Sequence, residues 1–168
     1  MSRYRLPLLF QLLIFLIPLN IYMWGDWLLV DVQWAFFRYQ QSEYGTSLIL
    51  CYKDILYIYL GQTTGFYNIA AALFWTAGVA ILLTGLIVTI ISIQERKSHN
   101  LRTASYFTLT GGIFLGVSAI SRFSGGFAIP VGVPIILVIG WWMYRENFEP
   151  GETGEDTYNE ETPVPDED

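Results

Sequence analysis

Charged positions are spaced so widely along this chain that four long uncharged stretches stand out. Arg5 and Asp26 bracket twenty uncharged residues, Asp54 and Glu95 forty, Arg102 and Arg122 nineteen, and Arg122 and Arg145 twenty-two. A helix crossing about 30 Å of hydrocarbon needs roughly 20 largely apolar residues. Three of the stretches match one span each. The forty-residue stretch is divided by Gly61-Gln62-Thr63-Thr64-Gly65, a density of glycine and hydroxyl residues that marks a loop. Beyond that loop Asn68–Ile93 supplies one long span; before it, Ile55–Leu60 is short and suits an interfacial or buried segment. The pattern predicts an all-α membrane protein. Its core is a four-helix transmembrane bundle within residues 1–145, with spans near 6–24, 68–93, 104–121 and 126–144. An outer-face interfacial cap occupies residues 25–65, between spans one and two. The first span ends in the bulky Asn20-Ile21-Tyr22-Met23-Trp24 rather than the small residues of a signal cleavage site, and so reads as an uncleaved anchor. Pro18 is expected to kink it.

The cap segment Trp27–Gln40 supports two patterns. As a strand, Leu28, Val30, Val32, Trp34 and Phe36 alternate on one apolar face. As a helix, Trp27, Val30, Trp34 and Phe37 share a stripe opposite Asp31, Ala35 and Arg38. Helix is the expectation, because a lone strand leaves backbone groups unpaired beside lipid. The segment Ser47–Leu60 is equally ambiguous, and Gln40–Gly45 forms a loop between the two. Both segments are expected to lie along the interface or over the helix ends.

Composition sharpens this picture. The chain is 53% hydrophobic and 14% charged, well under the roughly 25% charged residues of soluble domains. Ten of its fifteen acidic residues fall between Glu146 and Asp168, so the net charge of −6 belongs to the tail and the body is slightly basic. That tail, rich in proline and poor in aliphatics, cannot bury enough apolar surface to order itself. It reads as a disordered cytoplasmic segment, or as a docking tail for a basic partner. The excess of Arg and Lys at Arg3, Arg5, Arg96, Lys97, Arg102 and Arg145, against Arg38, Lys53 and Arg122, places both termini in the cytoplasm of a multi-pass protein of the cell membrane. Tyr22, Trp24 and Trp27 form an aromatic belt at one interface, and Trp141, Trp142 and Tyr144 at the other. The body offers no basic face for nucleic acid.

Residues with catalytic potential are sparse. Cys51 is the one cysteine and reads as a small buried side chain. His99 is the one histidine, a solvated loop residue lacking metal-ligand spacing. No nucleophile–base set and no phosphate-cradling glycine motif occur, so no metal, cofactor or catalytic residue is assigned. Within the spans the polar residues are neutral, whereas pumps and proton-coupled carriers place charges at depth. Thr108, Gly112 and Gly116 form a small-residue stripe for close helix packing, within the chain or against a partner helix. Pro130-Val131-Gly132-Val133-Pro134 is expected to open span four.

The binding candidates are the outer-face charges Asp26, Asp31, Arg38, Glu43, Lys53 and Asp54, set among aromatic residues. The plainer reading makes Asp31–Arg38 and Lys53–Asp54 surface ion pairs worth little. The leading expectation is a non-catalytic accessory or scaffolding subunit in the bilayer, with a second copy or another membrane protein as partner. A homo-oligomeric transporter or channel subunit is the alternative, followed by an enzyme acting on lipid through the outer carboxylates.

Overall fold

A computed structural model of the chain describes residues 5–25, 29–95, 98–123 and 126–146. It overturns the all-α four-helix transmembrane bundle. Among the described residues, five helices are joined by a five-stranded antiparallel sheet. In chain order the elements are α1 (Arg5–Leu16), β1 (Asn20–Trp24), β2 (Leu29–Gln33), β3 (Phe37–Ser42), β4 (Gly45–Leu50), α2 (Cys51–Tyr59), α3 (Phe66–Glu95), α4 (Ser98–Arg122), β5 (Phe127–Ile129) and α5 (Gly132–Glu146). The acidic segment from Asn147 onward, the side chain of His99, and residues Asp26, Trp27 and Leu28 lie outside the described residues.

Two helices among the described residues are long and apolar enough to cross a membrane: Phe66–Gln94, of 29 residues, and Asn100–Arg122, of 23. These coincide with the second and third expected spans. The first and fourth do not survive. At 1.5 Å per residue, α1 with 12 residues and α5 with 15 reach only about 18 and 22 Å, short of a bilayer's hydrocarbon core. Each is shortened by a proline and a strand. Pro18 ends α1 rather than kinking it, because the residue before a proline is pushed out of the α region. The residues after it, Asn20–Trp24, become β1. Pro130 likewise closes β5, and Pro134 sits in the first turn of α5, where a missing N–H costs little.

The cap is a sheet in the order β4-β3-β2-β1-β5. The objection to strands beside lipid fails because these strands pair with one another. Asn20–Trp24 runs against Leu29–Gln33, which runs against Arg38–Ser42, which runs against Gly45–Ile49. Glu43 and Tyr44 form a two-residue hairpin, with Gly45 at φ 130 absorbing the reversal. Backbone bonds carry the sheet into the helices, among them Leu19 N–H to the Gln33 carbonyl at 2.7 Å, Gly132 N–H to the Leu19 carbonyl at 2.9 Å and Cys51 N–H to the Phe36 carbonyl at 2.8 Å. Helix α2 follows β4 directly and stops at Gly61, whose φ of 69 permits the left-handed cap.

Helices α3 and α4 pack closely along their length, and glycines set how near they come. A methyl group at Gly111 would lie 2.8 Å from Leu82 Cγ and 3.1 Å from the Gly78 carbonyl, so the two backbones nearly touch there. Ser118 Oγ donates to the Ala71 carbonyl at 2.7 Å, a second tie between the two helices. The Thr108–Gly112–Gly116 stripe packs inside the chain. Thr108 accepts from Gln11 Nε2 of α1 at 3.0 Å, Gly112 faces Ile136 of α5, and Gly116 faces Val133 of α5. The glycines diverge in what they tolerate. Gly111→Ala is expected to cost about 1–3 kcal/mol through overpacking against a carbonyl that cannot move. Gly116→Ala should be close to neutral, since its nearest neighbour is Val133 at an ordinary 3.5 Å. Thermal unfolding of the two variants in detergent checks the contrast.

Polar side chains share the interior with an apolar core that includes Trp75, Leu82, Leu115 and Ile136. Gln11, Thr89, Ser92, Ser105, Thr108 and Ser118 are buried between helices, while Leu9, Leu16, Leu73, Ile87, Ile113, Ile120 and Val138 are exposed. Only 33% of the most apolar stretch of α3 and 44% of that of α4 is buried inside the protein.

Candidate functional site

The sheet also turns polar side chains inward. In an antiparallel pair, residues directly opposite share a face. One face carries Asn20 and Tyr22 of β1, Asp31 and Gln33 of β2, and Arg38 and Gln40 of β3. The other carries Ile21 and Met23, Val30 and Val32, Phe37 and Tyr39, Leu48 and Leu50, with Phe127 and Ile129 on β5 and the polar Gln41 and Thr46 near the β3–β4 hairpin. The polar face is turned toward the helices: Asn20, Asp31 and Gln33 are fully buried. The apolar face points away, and Leu48 and Phe127 are more than half exposed.

Charges converge where the polar face meets the helix ends. Arg38 lies diagonally across from Asp31 and donates Nη1–H to its Oδ2 at 2.7 Å. Its other terminal nitrogen, Nη2, donates to Oδ1 of Asp54, in the first turn of α2, at 2.8 Å. Arg122, the last residue of α4, donates Nη1–H to the same Asp31 Oδ2 at 3.2 Å and stacks over the Tyr22 ring with its guanidinium carbon 5.7 Å from the centroid. Asp31 is 1% and Asp54 5% exposed, so these are not surface pairs. Three separate elements and a helix end are thereby tied to one point.

Burial and pairing pull against each other here. Burial works against the charge on Arg38, but the Asp31 and Asp54 carboxylates and their hydrogen bonds outweigh it and raise its pKa. At Asp54 burial wins: the pKa is raised above 3.8, although Arg38 and Arg122 lower it and Asp31 adds to the rise. Tyr22 is raised by burial, with Arg122 opposing and Asp31 adding. A raised carboxyl pKa means that the folded state holds the Asp54 proton more tightly than the unfolded chain. This contribution to stability is full below pH 3.8 and is lost as pH rises through the raised value. Denaturation midpoints measured upward from pH 3.8 should therefore fall more steeply for the wild type than for Asp54→Asn. Equal slopes would contradict the assignment.

Beneath the sheet lies a cavity of about 190 Å³ lined by Asp31, Arg38, Asp54 and Arg122, with Tyr22, Trp24, Gln40, Thr63 and Asn68 around them. Asp31 Oδ1, Asp54 Oδ2 and Arg38 Nε, on three of the residues that line it, are buried without a hydrogen-bond partner. Among the described residues, no group of three or more His, Cys, Asp or Glu is placed to hold a metal ion.

Of the predicted binding residues, the structure unites Asp31, Arg38 and Asp54. Glu43 sits at the exposed tip of the β3–β4 hairpin, away from the cavity. Lys53 is half-buried on α2, and the expected Lys53–Asp54 pair is replaced by Arg38–Asp54. Asp26 is outside the described residues. Arg122 was missed: its sequence signal was a lone charge between two apolar runs, which served only for orientation. Cys51 lies 3.9 Å from Thr76 Oγ1, and burial raises its thiol pKa, with Asp54 adding and the Thr76 hydrogen bond opposing. Such a thiol is poorly nucleophilic. Compared with protein-family models, curated proteins and solved structures, the chain shows no match.

Proposed function

We propose that this chain is a non-catalytic accessory or scaffolding subunit of a membrane complex, and that the outward apolar face of its sheet is the surface that packs against the other component. One observation carries the reading: the sheet turns Asn20, Asp31, Gln33 and Arg38 inward on the helix ends and presents Tyr39, Leu48, Leu50, Phe127 and Ile129 outward, with Gln41 and Thr46 beside the β3–β4 hairpin as the polar positions of that face. Contiguous exposed apolar surface of that kind marks an interaction site. The two sheet edges are also treated differently. β5 is three residues long and is closed by Pro130, whereas β4 is six residues long and carries neither Lys nor Pro, the usual guards of an edge. Strand addition along β4 would extend the sheet into a partner.

The membrane part of the reading rests on the exposed aliphatic surface of α3 and α4 together with their length. In this arrangement the two helices cross as a hairpin. The connection bearing Arg96 and Lys97 faces the cytoplasm under the positive-inside rule, and the sheet lies on the opposite side.

The test is the mass of the particle purified in mild detergent from its native membrane. A particle heavier than the 19.2 kDa chain, reduced to the single chain by Leu48→Asp with the fold retained, is the expected result. A wild-type particle containing one chain and nothing else would contradict the reading.

A further inference from the structure

We propose that the cavity beneath the sheet binds a small zwitterion bearing a primary ammonium beside an anionic group, of the aminoethyl-phosphate kind. The space is many times the roughly 10–15 Å³ that a single water requires, so it admits a compact organic group. Its chemistry is specific. Asp31 Oδ1 and Asp54 Oδ2 are acceptors on carboxylates more than nine-tenths buried, and neither has a donor. An unmade hydrogen bond on a buried charged group costs more than one on a neutral group, so the site calls for N–H or O–H donors. The two terminal nitrogens of Arg38 are already committed to Asp31 and Asp54. Arg122 spends one nitrogen on Asp31 and lines the same cavity, so it and the unpartnered Arg38 Nε are the donors left for an anion.

Net charge selects among ligands. Two aspartates and two arginines sum to zero, so a lone cation or a lone anion would bury uncompensated charge. A zwitterion does not: its ammonium serves the two orphan carboxylate oxygens and its anionic end meets Arg122. Two sources carry this chemistry, a phospholipid headgroup and a free aminoalkyl phosphate. Arg122 ends a helix of membrane-crossing length, which puts both within reach. The lipid source rests on the membrane reading above, whereas the soluble source does not.

Titration calorimetry on the full chain in detergent tests the proposal, with phosphoethanolamine, phosphocholine and inorganic phosphate as probes. Saturable heat is expected for phosphoethanolamine. Binding should be at least tenfold weaker for phosphocholine, whose quaternary nitrogen has no N–H to give, and absent for phosphate alone. Arg122→Gln should lose at least tenfold for phosphoethanolamine. Because Arg122 makes the longest of the cluster's ionic contacts, 3.2 Å to an Asp31 that keeps Arg38, its loss is measurable even if Asp54→Asn does not fold. Reconstitution into phosphatidylethanolamine or phosphatidylcholine discs separates the sources: blockage of the heat by the first alone identifies the lipid, and blockage by neither identifies the soluble ligand. Equal affinity for phosphocholine, or no saturable heat in detergent together with no retention of phosphatidylethanolamine over phosphatidylcholine, would overturn it.

Discussion

Arg38→Met is expected to destabilise the protein by about 3–5 kcal/mol, the cost of removing one partner from a buried ionic network. Arg38 is the shared cation of two carboxylates, at 2.7 Å from Asp31 and 2.8 Å from Asp54. Methionine fills much of its volume, so the loss isolates charge and hydrogen bonding from packing. Asp54 suffers most, because its nearest cation is gone; Asp31 keeps Arg122 at 3.2 Å. Protonation of Asp54 offers partial relief, so the deficit should shrink as pH falls. Adding Asp54→Asn to Arg38→Met should recover part of the loss, since the orphaned charge is removed with its partner. Chemical denaturation of the two single variants and the double variant measures the coupling. Strictly additive losses would show that Arg38 and Asp54 do not act as a unit.

The second large effect concerns the seam between sheet and helices. Gly132 opens α5, and a methyl group there would lie 2.8 Å from the Pro18 carbonyl and 2.9 Å from Leu19 Cα. Both neighbours are backbone, and Leu19 is fully buried. The chain must move rather than a rotamer turn. The Gly132 N–H also donates to the Leu19 carbonyl, so displacement breaks one of the backbone bonds that carry the sheet into the helices. Gly132→Val is therefore expected to cost about 3 kcal/mol, the upper end of the overpacking range. The unfolding midpoint reports the loss, and accelerated amide exchange at β1 would locate it. A midpoint unchanged from wild type would mean that this approach is looser than drawn.

Helices α3 and α4 were legible because a long uncharged run between charged ends has few other readings. Phe66–Glu95 and Ser98–Arg122 enclose the expected 68–93 and 104–121. The sheet was not legible, although its pattern was visible. Val30 and Val32 do alternate with Asp31 and Gln33, but a strand is stable only with a neighbour. That neighbour was hidden: Asn20–Trp24 and Phe127–Ile129 are apolar enough to pass as ends of spans, and hydropathy does not separate a buried strand from a helix of that length. The prolines at positions 18 and 130 were the available signal, read as a kink and as a helix opening.

Direction was the second thing the pattern concealed. Alternation places Val30 and Val32 opposite Asp31, and ordinary experience puts the valines inside. Here the carboxylate goes in, because Arg38, Asp54 and Arg122 arrive from three other elements to meet it. Arg122 is 91 residues from Asp31, and no local window links them. For the same reason Asp31–Arg38 looked like a surface pair. Its burial depends on the helices that cover it, not on the spacing of the two residues.

The outward apolar face of the sheet is tested most directly by a photo-activated cross-linker at Leu48, with the protein in its native membrane. One discrete protein adduct of fixed mass, absent when the same group is placed at Tyr59 on α2, is the expected result. Adducts to lipid alone, or none at all, would contradict a face built to meet another protein.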